Sequence, residues 1–389
     1  MTVSDVLTVL HAWAPPGSKA DFDRVGLQVG DPAAPVDRVL VALDLTPAVV
    51  DEAAETGAGL VVTHHPLLFK PVGRATADDP VGALVWRLAR AGLSYAAVHT
   101  NLDAARGGVS FALAEQIGLE APEILAPLDG VMRKVTVFAP ETAADAVRQA
   151  MAEAGAGGVG DYDACSFTAR GTGRFVPRDG ARPAVGAVGQ AESVAEVRIE
   201  AVVPSWAVGA VRRAVASAHP YQTPAVDVVA LDGTATRHGY GVVGRLPAPE
   251  PLAAFLKRVR DALDVGALHY VGDDGQSVER VAVCGGSGLS FLPDALRAGA
   301  DAYVTADVTY HRWFEALDTG GRPQLALVDA GHYETERVTE RLVADRLAAA
   351  LPGLAVDVTR HRTSPVRTFA GQTWEPGGRT GGALPAADA

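Results

Sequence analysis

The chain has 389 residues and a net charge of −12, with 48% hydrophobic residues and two cysteines. At about 100–200 residues per domain, this length predicts two or three domains, and the apolar fraction excludes global disorder. The cysteines, Cys165 and Cys284, lie far apart in sequence, which argues against a disulfide scaffold, a zinc ribbon or an iron–sulfur site.

The charge balance and the first residues predict where the protein works. An acidic chain lacks the positive charge from which non-specific nucleic-acid binding draws its affinity. Residues 1–10 lack the basic start of a signal peptide, and no apolar run reaches the roughly 18–20 residues of a membrane span. We therefore predict a cytoplasmic protein with neither a membrane nor nucleic acid as partner.

The two outer parts of the chain alternate short apolar runs with amphipathic segments. The predicted strands are 38–43, 59–63, 95–98, 281–284, 302–305 and 325–328. The first helix between them begins at Thr46 and Pro47, an N-cap followed by proline, and ends at Gly57. This alternation predicts an α/β fold with a mostly parallel sheet flanked by helices, formed by residues 1–128 and 245–371.

Residues 129–244 differ in character and contain a weak internal repeat. Each half has the order strand, helix, strand: 134–138, 143–154 and 164–168, then 197–203, 207–218 and 225–229. Two such units in tandem predict an inserted α+β domain of the ferredoxin-like type. Residues 372–389 are rich in glycine, proline and alanine and are predicted to form a disordered tail.

Polar side chains follow five of the predicted strands of the outer domain. These clusters are Asp44, then His64 with His65, then His99 with Asp103, then 305–311 with His311, and finally 329–336 with His332 and Glu336. In open parallel sheets the ligand site lies beyond the carboxyl ends of the strands. Singly, each cluster also fits an ordinary cap or turn, but jointly the five clusters predict one shared crevice.

The residue types in these clusters are metal ligands. Imidazole with carboxylate suits zinc, iron, manganese or a similar divalent ion. His332 and Glu336 stand four apart at a helix start and so share one face, whereas the neighbours His64 and His65 could serve two different ions. With Asp103, these are too many ligands for one tetrahedral site. They suit two divalent ions about 3.5–4 Å apart, joined by a bridging carboxylate and a bridging water.

Two glycine-rich segments allow other interpretations. Residues 239–244 match G-x-G-x-x-G, but prolines follow where a helix should open, so a dinucleotide site is not predicted. Residues 285–288 follow a predicted strand and allow two interpretations, a cradle for a substrate phosphate or a tight turn.

Taken together, the motifs resemble the NIF3-like dinuclear metal centre family, whose members are labelled GTP cyclohydrolase 1 type 2 homologues. The resemblance runs from about residue 1 to 371 and rests on 23–30, 63–69, 99–103, 301–311 and 331–336. It implies that two metal ions are bound by His64, His65, Asp103, His332 and Glu336. It also implies a toroidal homohexamer with the metal sites facing an internal cavity, and a PII/CutA-like insert as in longer bacterial members. Two departures are Arg24, where many members have asparagine, and Ala306, where glycine is common before Asp307.

The leading functional hypothesis is a metal-dependent hydrolase acting on a nucleotide-like substrate. Two ions would lower the pKa of a bridging water, so that hydroxide could attack a carbon of a purine nucleotide or a phosphorus. His99 and His311 are candidates for proton transfer, with orientation of the metal ligands as the alternative role for both. The alternative function is a non-catalytic metal-handling or regulatory hexamer that senses a small effector through its insert.

Overall fold

The computed structural model describes residues 1–233 and 236–367. Its strands are β1 (Gly26–Val29), β2 (Arg38–Ala42), β3 (Leu60–Thr63), β4 (Ser94–Ala97), β5 (Glu120–Pro127), β6 (Met132–Pro140), β7 (Phe167–Phe175), β8 (Glu192–Pro204), β9 (Val226–Ala230), β10 (Gly239–Pro251), β11 (His269–Val271), β12 (Ser277–Val283), β13 (Ala302–Thr305), β14 (Ala326–Asp329) and β15 (Ala355–Val358). Its helices are α1 (Val3–Trp13), α2 (Pro47–Thr56), α3 (Pro80–Ala91), α4 (Thr100–Asp103), α5 (Val109–Ile117), α6 (Ala144–Glu153), α7 (Val208–Ala218), α8 (Leu252–Leu263), α9 (Leu292–Arg297), α10 (His332–Glu336) and α11 (Val338–Ala350).

The first sheet, sheet I, has the order β1-β4-β3-β2-β15. Its inner pairs are parallel, and β1 joins β4 antiparallel. The predicted start and end of helix α2 are confirmed. The Thr46 hydroxyl accepts from the Val49 N–H, Pro47 is the first residue of the helix, and Gly57 ends it at φ 72°. The crossover from β2 to β3 is therefore encoded by its own short segment.

A second sheet, sheet II, has the order β11-β14-β13-β12-β10-β5. Only the pairs β12–β13 and β13–β14 are parallel, whereas the pairs β11–β14, β10–β12 and β5–β10 are antiparallel. The expected single, mostly parallel sheet is therefore wrong: the outer domain is mixed α/β and has two sheets. The outer domain has two sheets because β15 pairs with β2 in sheet I. In sheet II, β10 pairs antiparallel with the edge of β12 that a further parallel strand would need.

A helical layer between the two sheets joins their cores. Val109 of α5 packs in the core of sheet I, and Leu113 and Ile117 of the same helix pack in the core of sheet II. Val343 and Leu347 of α11 complete the core of sheet I. Because α5 serves both cores, the loops that follow β3 and β4 are held opposite the segment that follows β14.

The third sheet, sheet III, is formed by the insert alone, in the order β7-β8-β6-β9 with every pair antiparallel. With α6 and α7 this is the strand order of a ferredoxin-like β-α-β repeat, as the internal repeat predicted. The strand predicted at 164–168 begins later, at Phe167, because the chain turns through Ala164 at φ 54°.

Three further expectations concern the chain as a whole. Residues 239–244 form part of β10, between β5 and β12, which confirms that they open no nucleotide-binding helix. In the part of the chain that the structure describes, no helix has the length and apolarity needed to cross a membrane. The tail predicted over 372–389 lies outside the described residues.

Candidate metal centre

The first two candidate ligands stand directly beyond the carboxyl end of β3. The backbone N–H groups of His64 and His65 donate to the carbonyls of Ala42 and Leu43 at 3.3 and 3.0 Å, so they extend the parallel pairing with β2. His64 is buried at 2% exposure. The backbone thus fixes both imidazoles at the edge of sheet I.

The short helix α4 brings the next candidates. His99 precedes it, and Asp103 ends it. The Asn101 side chain stabilises the start of α4 through two hydrogen bonds. Its amide nitrogen donates to the Ala14 carbonyl at 2.7 Å, and its oxygen accepts from the His99 N–H at 3.0 Å. His99 and Asp103 both lie beside His64, with 5.1 Å between the ring centroids of His99 and His64 and 3.6 Å between Asp103 Oδ1 and His64 Nε2.

The remaining candidates come from the far end of the sequence. His332 and Glu336 lie four apart on α10, which follows β14, and their side chains approach to 3.0 Å between Nε2 and Oε2. His65 lies across from them, with 2.9 Å between its Nε2 and Glu336 Oε2 and 3.3 Å between its Nε2 and that of His332. Two segments that are 267 residues apart in sequence thus meet in one cluster.

Glu336 is shared between two groups of ligand atoms. His64, Asp103 and Glu336 form one group, and His65, His332 and Glu336 form the other, each with its ligand atoms within 4.8 Å of one another. In the first group, His64 Nε2 lies 3.6 Å from Asp103 Oδ1 and 3.7 Å from Glu336 Oε1. The structure therefore brings together all five residues that the sequence singled out as metal ligands.

The four histidines of the crevice have their Nδ1 atoms occupied. The partners of Nδ1 are the Val98 carbonyl for His64 at 2.8 Å, Asp44 for His65 at 2.7 Å, Asp23 for His99 at 2.8 Å and Asp307 for His332 at 2.7 Å. Each partner is an acceptor, so each Nδ1 carries the hydrogen and each Nε2 of a neutral ring keeps a lone pair. Carboxylate or carbonyl partners of this kind orient histidine ligands in metal sites.

The residues present fit a pair of divalent ions. Buried His64 Nε2 and Glu336 Oε2 have no hydrogen-bond partner, although two imidazole nitrogens lie within 3.0 Å of that oxygen. Converging lone pairs repel one another unless a cation or a proton lies among them. Ligand atoms about 2.1 Å from a metal ion lie about 3.0–3.4 Å apart in octahedral or tetrahedral coordination. The observed separations of 2.9 to 3.7 Å bracket that range.

The electrostatics of the cluster also favour a cation. Burial, followed by repulsion from Glu336, raises the pKa of Asp103 well above its usual value. Burial lowers the pKa of His65 and of His332, but the neighbouring carboxylates of Glu336, Asp44 and Asp307 outweigh it and raise these pKa values to about 10 and about 9. The negative charges of the two buried carboxylates are therefore balanced by protons, on Asp103 itself and on the histidines beside Glu336. A divalent ion would replace those protons.

The glycine-rich turn at 285–288 packs against this cluster. Gly286 has φ 59°, and a Cβ there would overlap the Glu336 carboxylate. The Gly286 and Gly288 N–H groups donate to the hydroxyls of Thr335 and Thr305 at 3.0 and 2.9 Å. Because these amides already have partners within the protein, the structure favours the tight turn over the phosphate cradle.

The two predicted proton-transfer residues have different surroundings. The ring centroid of His99 lies 5.1 Å from that of His64 and 5.5 Å from that of His65, and the three residues form a further group of possible ligands. His311 lies exposed on the segment Tyr310–Ala316, with its ring against Tyr310. The structure does not bring His311 into any of the ligand groups found among residues 1–233 and 236–367.

Two acidic residues of the site were not singled out as functional from the sequence. Asp23 is 1% exposed, and its pKa is held far below the usual value, because hydrogen bonds from His99 and Thr100 outweigh the effect of burial. Asp307 has φ 58°, a conformation that is unusual for a residue with a side chain and that turns its carboxylate toward His332. Both residues stand in quoted motifs, Asp23 in 23–30 and Asp307 in 301–311, but only the structure shows that they hold histidine rings.

The fold and the site define a mixed α/β protein with a buried histidine–carboxylate cluster that could bind metal. The profile of the DUF34/NIF3 family (NGG1p interacting factor 3) matches residues 1–365. The chain belongs to this family, which confirms the resemblance drawn from the motifs.

Named relatives and solved structures agree with this assignment. The GTP cyclohydrolase 1 type 2 homolog of Mycobacterium tuberculosis is 45% identical over 338 residues, which cover 86% of this chain and 88% of the relative. That of Bacillus subtilis is 37% identical and covers 88% of this chain and 91% of the relative. A Bacillus cereus protein related to NIF3 has a similar structure, with a TM-score of 0.80, 36% identity, and coverage of 95% of this chain and 99% of that one.

Proposed function

We propose that this protein is a hydrolase that uses two divalent metal ions and acts on a nucleotide-like substrate. One ion would be held by His64, Asp103 and Glu336, and the other by His65, His332 and Glu336. Imidazole and carboxylate ligands suit zinc, iron or manganese. When bound, such a pair of ions supplies a water of lowered pKa as the nucleophile.

The observation that carries this proposal is the position of Glu336. Its Oε1 lies 3.7 Å from His64 Nε2, while its Oε2 lies 2.9 and 3.0 Å from the Nε2 atoms of His65 and His332. Each oxygen thus faces a different group of ligands. This is the arrangement that a bridging carboxylate requires, so we assign the bridge to Glu336 rather than to Asp103.

His99 is the residue that we propose for proton transfer. Asp23 accepts a hydrogen bond from its Nδ1 at 2.8 Å and, because the pKa of Asp23 is low, stays ionised and holds the ring in one orientation. The opposite ring nitrogen, Nε2, belongs to the side of the ring that faces His64 and His65, where a substrate proton would be gained or lost. His311 has no comparable support and stays a sequence prediction.

Two exposed aromatic rings beside the cluster favour a flat substrate. Phe22 is 65% and Phe69 is 41% exposed, and their ring centroids lie 6.0 Å apart. Phe69 also lies 6.4 Å from the His99 ring. Large exposed aromatic side chains next to a polar centre can stack on a planar base, which supports a purine nucleotide over an aliphatic phosphoester.

The proposal is tested by measuring metal content and turnover of GTP and simple phosphoesters in matched variants. We expect His332→Ala and His99→Ala to lose turnover, with His332→Ala also losing metal and His99→Ala keeping most of it. Glu334→Gln is the control, because Glu334 lies on the same helix but pairs with Arg362 outside the cluster. Equal turnover in all of these proteins would contradict catalysis at this centre.

We also infer a homohexamer from the family resemblance. The support in this chain is a set of exposed aromatic side chains beside the edge strand β11: Tyr270 at 43%, Tyr310 at 73% and Phe314 at 56% exposure. Such side chains are typical of surfaces that associate. Light scattering should give six times the chain mass, and Phe314→Asp should lower that mass. A monomer at all concentrations would contradict the inference.

The second candidate function is a metal-handling or regulatory protein without turnover. The observation that favours it is the insert, which has its own sheet and its own core, separate from the crevice. We infer that this insert is PII/CutA-like and that it senses a small effector. Metal binding without activity on any nucleotide, together with an effector-dependent change in metal affinity, would favour this function over hydrolysis.

A further inference from the structure

The insert contains a cavity of about 370 Å³ on sheet III, and none of its lining residues belongs to the metal centre. We propose that this cavity binds a purine nucleotide whose ring presents two adjacent N–H donors, as guanine does. The residues that carry the proposal are Phe138, Phe175, Tyr221, Glu196 and Arg182. The volume lies within the range of small-molecule sites, about 300–1,000 Å³.

Aromatic side chains form one wall of the cavity. The rings of Phe175 and Tyr221 lie 5.9 Å apart between centroids, and His219 packs on Tyr221 at 4.9 Å. His219 also fixes this wall, because its Nδ1 accepts the Tyr221 N–H at 3.0 Å and its Nε2 donates to the Phe138 carbonyl at 2.9 Å. A wall held in this way offers a planar ring a surface that needs no ordering on binding.

Glu196 supplies the polar specificity of the cavity. It is 8% exposed, and the Tyr221 hydroxyl donates to its Oε1 at 2.9 Å. Among the described residues, no lysine or arginine lies within ion-pair distance of it. Gly173 on β7 leaves room for this carboxylate, because a Cβ there would overlap it. A buried carboxylate without a cation is costly, so a ligand that donates hydrogen bonds to it is favoured.

An arginine sets the other end of the ligand. Arg182 lines the cavity and is exposed, and within residues 1–233 and 236–367 it forms no ion pair with a carboxylate. It is therefore available to an anionic group, and arginine is well suited to phosphate. The aromatic wall would stack on the purine ring, and Glu196 would accept from the edge that carries the N–H donors. Arg182 would bind the phosphate. In adenine the acceptor N1 stands beside the amino group at N6. The lone pair of N1 would therefore repel the Glu196 carboxylate.

The experiment is calorimetric titration of the full chain with guanosine monophosphate and adenosine monophosphate. We expect guanosine monophosphate to bind. Adenosine monophosphate should bind at least about tenfold more weakly, because it lacks a hydrogen bond to the charged Glu196 carboxylate. Glu196→Gln keeps the size of the side chain and should weaken guanosine monophosphate by about tenfold to a hundredfold. Thermal unfolding of this variant shows whether it is folded.

Two control variants separate this cavity from the rest of the molecule. Glu200→Gln lies on the same strand, β8, but its carboxylate faces Arg198, and Glu336→Gln disables the metal centre. Glu200→Gln should bind guanosine monophosphate as the unaltered protein does. Glu336→Gln should keep the binding event that Glu196→Gln weakens, although it would lose any nucleotide held at the metal centre. Binding lost in Glu336→Gln but kept in Glu196→Gln would overturn the proposal and place the nucleotide at the metals. No binding to the unaltered protein, or equal binding of both nucleotides, would also overturn it.

Discussion

Replacing Glu336 by glutamine should remove both metal ions at once, because this side chain is shared by the two ligand groups. The change keeps the size and removes the charge, so the fold should tolerate it. Asp103→Asn and His332→Ala each alter only one group. We expect about two ions per chain in the unaltered protein, about one in each of these two variants and none in Glu336→Gln.

The expected size of the effect follows from the loss of one charge at short range. Two unit charges 4 Å apart interact by about 4 kcal/mol at an effective dielectric constant of 20, and a divalent ion doubles this energy. With about 1.4 kcal/mol per factor of ten, even the unit-charge figure corresponds to roughly three orders of magnitude in Kd, so each ion should lose at least that much affinity. Both Glu336 oxygens lie closer than 4 Å to the histidine nitrogens of their groups, so neither ion should escape the loss.

The assay is elemental analysis of dialysed protein, followed by titration with zinc or manganese to obtain the affinity of each ion. Glu334→Gln is the control on the same helix and should retain both ions. If Glu336→Gln kept one tightly bound ion, or if Asp103→Asn lost both, the assignment of the bridge to Glu336 would be wrong.

Three further predictions follow from the surroundings of the ligands. Asp307→Asn should weaken metal binding by about 10-fold to 100-fold, because the charge that orients His332 is lost; an unchanged Kd would refute this. Metal affinity should rise with pH, since the pKa values of His65 and His332, about 10 and about 9, mean that the ion bound by these two residues must displace protons. A competing chelator dye read from pH 6 to 9 checks the sign, and a flat profile would contradict it. Gly286→Ala should lower both thermal stability and metal content, because the new methyl group would overlap Glu336; normal values of both would show that the turn can shift.

Much of the local structure could be predicted because it is encoded within short segments. Thr46, Pro47 and Gly57 bound α2 as their types require, and the runs before His64 and before His99 form the buried strands β3 and β4. The candidate ligands could be found for the same reason, since a polar residue after an apolar strand stands out in the sequence. The internal repeat likewise predicted the strand and helix order of the insert.

The pairing of distant segments could not be predicted in this way. That β15 returns to β2, and that β10 and β5 extend sheet II antiparallel, depends on α5 packing between two cores. The expectation of one mostly parallel sheet failed because strand order is set by such long-range packing and not by the period of any one segment.

The sequence by itself determined the five candidate ligands, because each belongs to a local pattern of strand end or helix start. Only the tertiary structure decided which of them share an ion and that Glu336 stands between the two groups. It also decided that Asp23 and Asp307 hold histidine rings in place. The physical reason is that a coordination sphere is a few ångströms wide, whereas its members are up to 272 positions apart (His64 to Glu336), and only packing of the two halves brings them within reach.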